Sequence, residues 1–205
     1  MGTELKIKVA RKRGMVKSKI KLLRKMTKSL TVLPSQQLLN QVWEYLLTRP
    51  NKKGEERKAV HECLFLLCWK VGLRVSEAVG FDLNLEHQQA EYKNLYLLRG
   101  KRDKERWVYI APEMVRELQK RKWEPFQSTR FGFHKFLQQA KKEMGIGAEI
   151  ELSPHTLRRF FATQQAISGM PLPVLQKVLG HNNLATTSYY VRAGTLENLL
   201  RYKPV

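Results

Sequence analysis

Acidic side chains, long apolar runs and cysteines are all scarce in this chain. Aspartate and glutamate number 18 against 38 lysines and arginines, giving a formal charge of +20. That excess is far beyond what solubility needs and makes a polyanion the natural partner, nucleic acid before any other. An anionic membrane would answer the same charge. However, no apolar run approaches the roughly 18 to 20 residues that span a bilayer, and no signal-peptide core follows the basic start. The expected protein is soluble and intracellular, without a membrane partner.

The two cysteines, Cys63 and Cys68, lie five apart in an apolar helical stretch. That spacing points them to different faces and suits neither a disulfide nor a zinc site, so they read as core residues in a reducing compartment. No cluster of carboxylates has metal-ligand spacing, and neither a metal nor another cofactor is expected.

What is present is enough for one substantial core: 205 residues, 42% of them hydrophobic, which suits one main domain and not two ordinary enzyme domains. Residues 1–30 hold 11 lysines and arginines against the single acid Glu4 and so carry half of the net charge. This basic arm reads either as a solvated tail or as a segment that follows phosphates, with Ile20, Leu22, Leu23 and Met26 able to make part of it helical. A transit peptide fits less well, because the arm is poor in arginine relative to lysine.

Beyond the arm the pattern is mainly helical. Ser35 is a good cap for a helix carrying Leu38, Leu39, Val42, Leu46 and Leu47, which Pro50 ends. After a polar loop, Asn51 to Gly54, a second helix from about Glu55 to Val71 is too apolar for a surface element and stops at Gly72. Strand formers on either side of a charged turn, Leu95 to Leu98 and Trp107 to Ile110, predict a β-hairpin with Lys101 at its tip. Further helices are expected at about 112–121 and 128–144, from Ser153-Pro154 to Gly169, from Pro171 to Leu179, and in 181–190 and 195–202. The fold class is α+β, mainly α: a helical bundle with one small antiparallel hairpin.

Four segments carry polar groups with chemical potential. Gly72-Leu73-Arg74-Val75-Ser76-Glu77 places an arginine at a break between helices, with Ser76 as the expected cap of the next one. A lone arginine there is ordinarily a surface residue. His155-Thr156-Leu157-Arg158 puts an imidazole and a guanidinium at i and i+3 on one helix face, where a capping histidine and a solvated arginine would be the plain reading. Leu179-Gly180-His181 ends one helix, and Tyr189 and Tyr190 lie on the next. With Lys101, these supply two guanidiniums, two imidazoles, an ammonium and a phenol, the set that phosphoryl transfer without a metal requires.

The segments GLRVSE, GKRDKER, HTLRRFFAT and LGHNNLATTSYY, in that order, resemble the boxes of the tyrosine recombinases of the phage integrase and Xer type. The resemblance covers roughly residues 31 to 192. It implies a catalytic domain of that fold over 31–205. Arg74 and Arg158 would hold a scissile DNA phosphate, Lys101 would be the general acid, His155 and His181 would handle protons and bond the phosphate, and Tyr190, nine residues after His181, would be the nucleophile. It also implies double-stranded DNA as partner, a homotetramer on DNA formed from a protein that is monomeric when free, and a cytoplasmic place of action at the nucleoid or another DNA-containing compartment.

Two arginine forks can neutralise the charge that deepens on a phosphodiester under attack. A phenol with an ordinary pKa near 10 needs a proton acceptor and a cationic field to attack at pH 7. Family members usually carry an N-terminal helical domain that closes over the duplex. With only the basic arm before the boxes, that domain is expected to be missing, whether because the chain is a fragment or because it is a minimal recombinase. A type IB topoisomerase would use similar groups to relax supercoils, and a non-enzymatic DNA-binding relative would need the charge but not all six groups.

Overall fold

The computed structural model describes residues 32–50, 55–87, 89–99, 105–181 and 187. Helix α1 (Gln36–Thr48) starts where the Ser35 hydroxyl accepts the Leu38 N–H at 3.1 Å, the usual way of meeting one of the orphan donors of a first turn. It buries Leu39, Val42 and Leu46. Leu47, expected on the apolar stripe, lies 40% exposed on the other side, because it sits about 100° round the helix from Leu46.

Helix α2 (Glu55–Trp69) is the central element, buried without a break from Glu62 to Trp69. Both cysteines lie in it as free thiols in the core, where burial pushes each pKa up to about 12; they are inert packing groups. The chain leaves α2 through Gly72, whose φ of +72° is the left-handed conformation that glycine adopts without strain. The short helix α3 (Val75–Val79) follows.

Strands β1 (Leu95–Arg99) and β2 (Glu105–Tyr109) pair antiparallel in the register Leu95 with Tyr109 through Arg99 with Glu105. Alternation sends Tyr96, Leu98 and Val108 into the core and leaves Trp107 and Tyr109 exposed, as a hairpin with one wet face requires. The indole N–H of Trp123 donates to the Phe81 carbonyl at 2.9 Å deep in the same core.

Helices α4 (Pro112–Lys120) and α5 (Arg130–Glu143) complete the wall, the latter capped by Thr129. Helix α6 (Pro154–Ile167) opens on a capping box in which Ser153 and Thr156 satisfy each other's backbone N–H groups, and it packs along α2. Helix α7 (Leu172–Leu179) packs on α6 and reaches β2. It ends at Gly180 with φ +59°, a left-handed cap. A separate small unit pairs Val32 with Ile150 through a parallel bridge. Among the described residues no helix is long and apolar enough to cross a membrane.

Among the described residues the architecture is therefore the mainly helical α+β fold with one hairpin that the pattern predicts. The polar loop at 51–54, the hairpin tip and the helices expected in 181–190 and 195–202 lie outside the described residues, apart from His181 and Thr187.

Gly72 is the most demanding backbone position. A Cβ there would lie 2.2 Å from the Phe161 ring, in addition to the cost of a left-handed residue with a side chain. Gly72→Ala is expected to lower the unfolding free energy by about 2 to 4 kcal/mol in a urea titration; a change below about 0.5 kcal/mol would show that Phe161 moves aside freely.

Candidate active site

Four elements converge on one carboxylate. Glu77, in α3, is only 6% exposed. Its Oε1 accepts from Arg74 Nη1 at 2.7 Å, and its Oε2 accepts from the Arg74 backbone N–H and from Arg106 Nη2, both at 2.8 Å. Arg158 Nη1 reaches Oε2 at 3.5 Å. Arg74, not Ser76, is the residue that caps α3, because the Glu77 carboxylate takes the backbone N–H of Arg74 and draws the helix start back to it.

The arginines also hold the end of α7. Arg74 Nη2 donates to the Gly180 carbonyl at 2.7 Å, Arg158 Nη1 to the Gly72 carbonyl at 2.7 Å, and Arg158 Nη2 to the Leu179 carbonyl. The last carbonyls of a helix have no partner within it and carry partial negative charge, so cations settle there. Arg158 is thus 5% exposed rather than the solvated arginine of the plain reading. The Arg74 side chain stays 40% exposed, an open guanidinium edge at the mouth of the cluster.

The left-handed turn at Gly180 delivers His181 beside these arginines. Its Nε2 lies 3.5 Å from Arg158 Nη2 and its Nδ1 lies 3.0 Å from the hydroxyl of the buried Thr187. A guanidinium can only donate, so Nε2 is the accepting atom and the proton resides on Nδ1. Burial, with Arg158, Arg74 and Arg106 as neighbouring cations that outweigh Glu77, pushes the pKa down from 6.5 to about 4. His181 is a neutral imidazole at pH 7 in the free protein.

Of the six residues read from the sequence, the structure brings together Arg74, Arg158 and His181. His155 is exposed in the first turn of α6, one turn before Arg158. Lys101 and Tyr190 lie outside the described residues, although the strands that flank Lys101 are in place. Among the described residues no three His, Cys, Asp or Glu side chains gather as a metal-binding group.

Sequence reasoning missed two members of the cluster, Glu77 and Arg106. Both stand inside the segments GLRVSE and GKRDKER. Glu77 has the i+3 spacing from Arg74 that a capping interaction requires, and Arg106 shares the inward alternation of Val108.

Residues 36–196 match the phage integrase family. The chain belongs to that family. Among its relatives, the tyrosine recombinase XerD of Lacticaseibacillus casei is 35% identical over 144 residues, covering 62% of this chain and 48% of the relative. The tyrosine recombinase XerA of Pyrococcus furiosus is 28% identical, over 82% of this chain and 65% of its own length. The chain spans about half the length of the XerD relative above and of the tyrosine recombinase XerC of Chlamydia caviae. Among solved structures, the XerH site-specific recombinase bound to palindromic difH substrate aligns with a TM-score of 0.67 at 19% identity, over 84% of this chain and 53% of that one. The catalytic domain of bacteriophage HP1 integrase aligns with a TM-score of 0.56 at 19% identity, over 85% and 96%. At such identities these structures establish the fold, that of the tyrosine recombinase catalytic domain.

The neutral His181 has a pH signature. Its folded pKa, about 4, lies below the unfolded value near 6.5. Between these values the unfolded chain binds a proton that the folded chain refuses, so this contribution to stability is complete above about pH 6.5 and is lost as the pH falls toward 4. In urea titrations at pH 7 and pH 4.5, wild type is expected to lose more stability than His181→Asn, which has no such proton to take up. An equal loss in both proteins would show that His181 is not held neutral.

Proposed function

We propose that this chain is a site-specific DNA recombinase that cleaves and rejoins duplex DNA through a covalent 3′ phosphotyrosine and exchanges strands between two sites. The observation that carries the reading is the meeting of Arg74, Arg158 and His181 around one buried carboxylate, in a chain of the phage integrase family.

In this mechanism the scissile phosphate binds at the exposed edge of Arg74 and draws on Arg158 behind it. A phosphate is a stronger acceptor than the helix-end carbonyls that occupy the arginines in the free protein. The Tyr190 oxygen attacks phosphorus, and His155 accepts the phenol proton. The bond to the 5′ oxygen breaks, and Lys101 protonates that oxygen as it leaves. His181, its Nε2 released from Arg158 and protonated in the field of the bound phosphate, donates from that atom to a non-bridging oxygen. The products are a 3′ phosphotyrosine and a free 5′ hydroxyl, and attack by a 5′ hydroxyl from the second site reverses the chemistry. One phosphoester replaces another, so the balance requires neither a metal nor a nucleotide.

Two sites of two halves each would be occupied by four protomers, a homotetramer on DNA assembled from free monomers, with residues 195–202 docking on a neighbour. The basic arm, residues 1–30, would add sequence-independent affinity through phosphate contacts.

The test uses a library of nicked suicide duplexes with randomised sequence, from which protein-linked strands are recovered under denaturing conditions and sequenced. Wild type is expected to form adducts on 3′ ends in excess EDTA. Tyr190→Phe should form none while binding DNA as wild type does, and Tyr189→Phe should retain the adduct. Peptide mapping of the linked residue reads the nucleophile directly. Absence of any adduct from wild type, dependence on Mg²⁺, or DNA attached at Tyr189 would overturn the mechanism as stated.

A further inference from the structure

Arg106 is a third guanidinium in the cluster, supplied by the hairpin. Its side chain is 14% exposed and its Nη2 bonds Glu77 Oε2 at 2.8 Å. Its Nε and Nη1 are fully buried and have no hydrogen-bond partner among the described residues. Each buried donor left unmet costs about 1 to 3 kcal/mol. An ion pair serving only to fasten the hairpin would be better made without these groups, and an exception of this kind in a polar cluster points to a functional constraint.

The surroundings define that constraint. The Arg106 side chain lies directly on the Gly180 turn, where a Cβ would come within 2.6 Å of Nε and 2.8 Å of Cδ. Only glycine leaves room for it, and that turn seats His181. Its partner, Glu77 Oε2, is also the atom that receives the Arg74 backbone N–H and Arg158 Nη1. Arg106 therefore touches both the carboxylate that aligns the phosphate-binding arginines and the turn that carries the histidine.

We propose that Arg106 is a positioning residue for DNA cleavage: it fixes Glu77 and the Gly180 turn so that Arg74, Arg158 and His181 stand ready for the phosphate. This rests on the recombinase reading above. His181 is faced by Arg158 from α6, Arg74 from the α2–α3 connection, Arg106 from β2, Glu77 from α3 and the Thr187 hydroxyl, so removing Arg106 takes away one of its three cations.

The test compares wild type, Arg106→Gln and Arg106→Lys in the full chain, with folding checked by circular dichroism. The first readout is single-turnover cleavage of the nicked duplex recovered with wild type. Arg106→Gln is expected to cleave about 100-fold more slowly at saturating protein, with DNA affinity within about threefold of wild type. Arg106→Lys keeps the charge and one bond to Glu77 and should recover about tenfold of that loss. The second readout needs no DNA: the His181 imidazole, followed by NMR, should titrate at higher pH in Arg106→Gln and unchanged in Arg106→Lys. A purely structural role would alter stability and leave the cleavage rate of the folded protein where it is in wild type, overturning the proposal. So would an affinity loss that matches the rate loss, which would mean that Arg106 grips DNA itself. An unmoved His181 titration in Arg106→Gln would overturn the placement of Arg106 against the histidine on which the proposal rests. If Arg106→Gln does not fold, cleavage by Arg106→Lys within threefold of wild type overturns the proposal and a loss of about tenfold supports it. If wild type forms no adduct, the recombinase reading fails, while the His181 titration still judges Arg106.

Discussion

Glu77 is a carboxylate withdrawn from water among three guanidiniums, and among the described residues it is the one group that all three arginines share. Three cations brought to one place repel one another, and two of them, Arg106 and Arg158, are largely buried. Removing a charge from water costs several kcal/mol even after the protein relaxes, and only good geometry and further hydrogen bonds recover it. Glu77 supplies the geometry by offering both oxygens, and the carbonyls of Gly72, Leu179 and Gly180 supply the remaining acceptors. The cluster still carries net positive charge, held rigid and partly open at Arg74. Under the proposed mechanism, such a preorganised field would cost little reorganisation on binding a phosphate.

The fold exists around this cluster in a direct sense. The described partners of Glu77 come from different parts of the chain: Arg74 from the α2–α3 connection, Arg106 from β2 and Arg158 from α6. The left-handed glycine after α2 presents its carbonyl to Arg158, and the left-handed glycine after α7 places its own under Arg74 and His181 beside both. The buried wall of α2 is the plane against which α6 is set, so the position of Arg158 is a consequence of core packing. Apolar burial supplies the folding energy, and the polar cluster occupies the place where the core meets solvent.

Much of this was legible in the residues. Caps at Ser35 and Ser153, the stop at Gly72, the alternation in the hairpin and the glycine at the end of α7 are local signals, and local signals fix local structure. The order of the four boxes identified Arg74, Arg158 and His181 as partners although 107 positions separate the first from the last. Glu77 and Arg106 were not singled out because their role is relational. A glutamate in a first helical turn and an arginine in a strand are ordinary surface residues until the tertiary fold sets them face to face. The cap at α3 was misassigned to Ser76 for the same reason: the side chain that wins the Arg74 N–H is also held by three arginines. Leu47 was read as part of the apolar stripe, and lies exposed, because a helical stripe read from sequence has no sharp edge.

The measurement that addresses the central claim most directly is the equilibrium unfolding of Glu77→Gln in urea, a neutral denaturant that leaves ion pairs unscreened. Gln keeps the size of the side chain and removes only the charge that three guanidiniums share. If the carboxylate organises the site, the variant loses about 3 to 5 kcal/mol relative to wild type at pH 7, the cost of leaving buried cations without their counter-charge. A loss below about 1 kcal/mol would contradict the account, because it would mean that the arginines are held in place by the helix-end carbonyls alone.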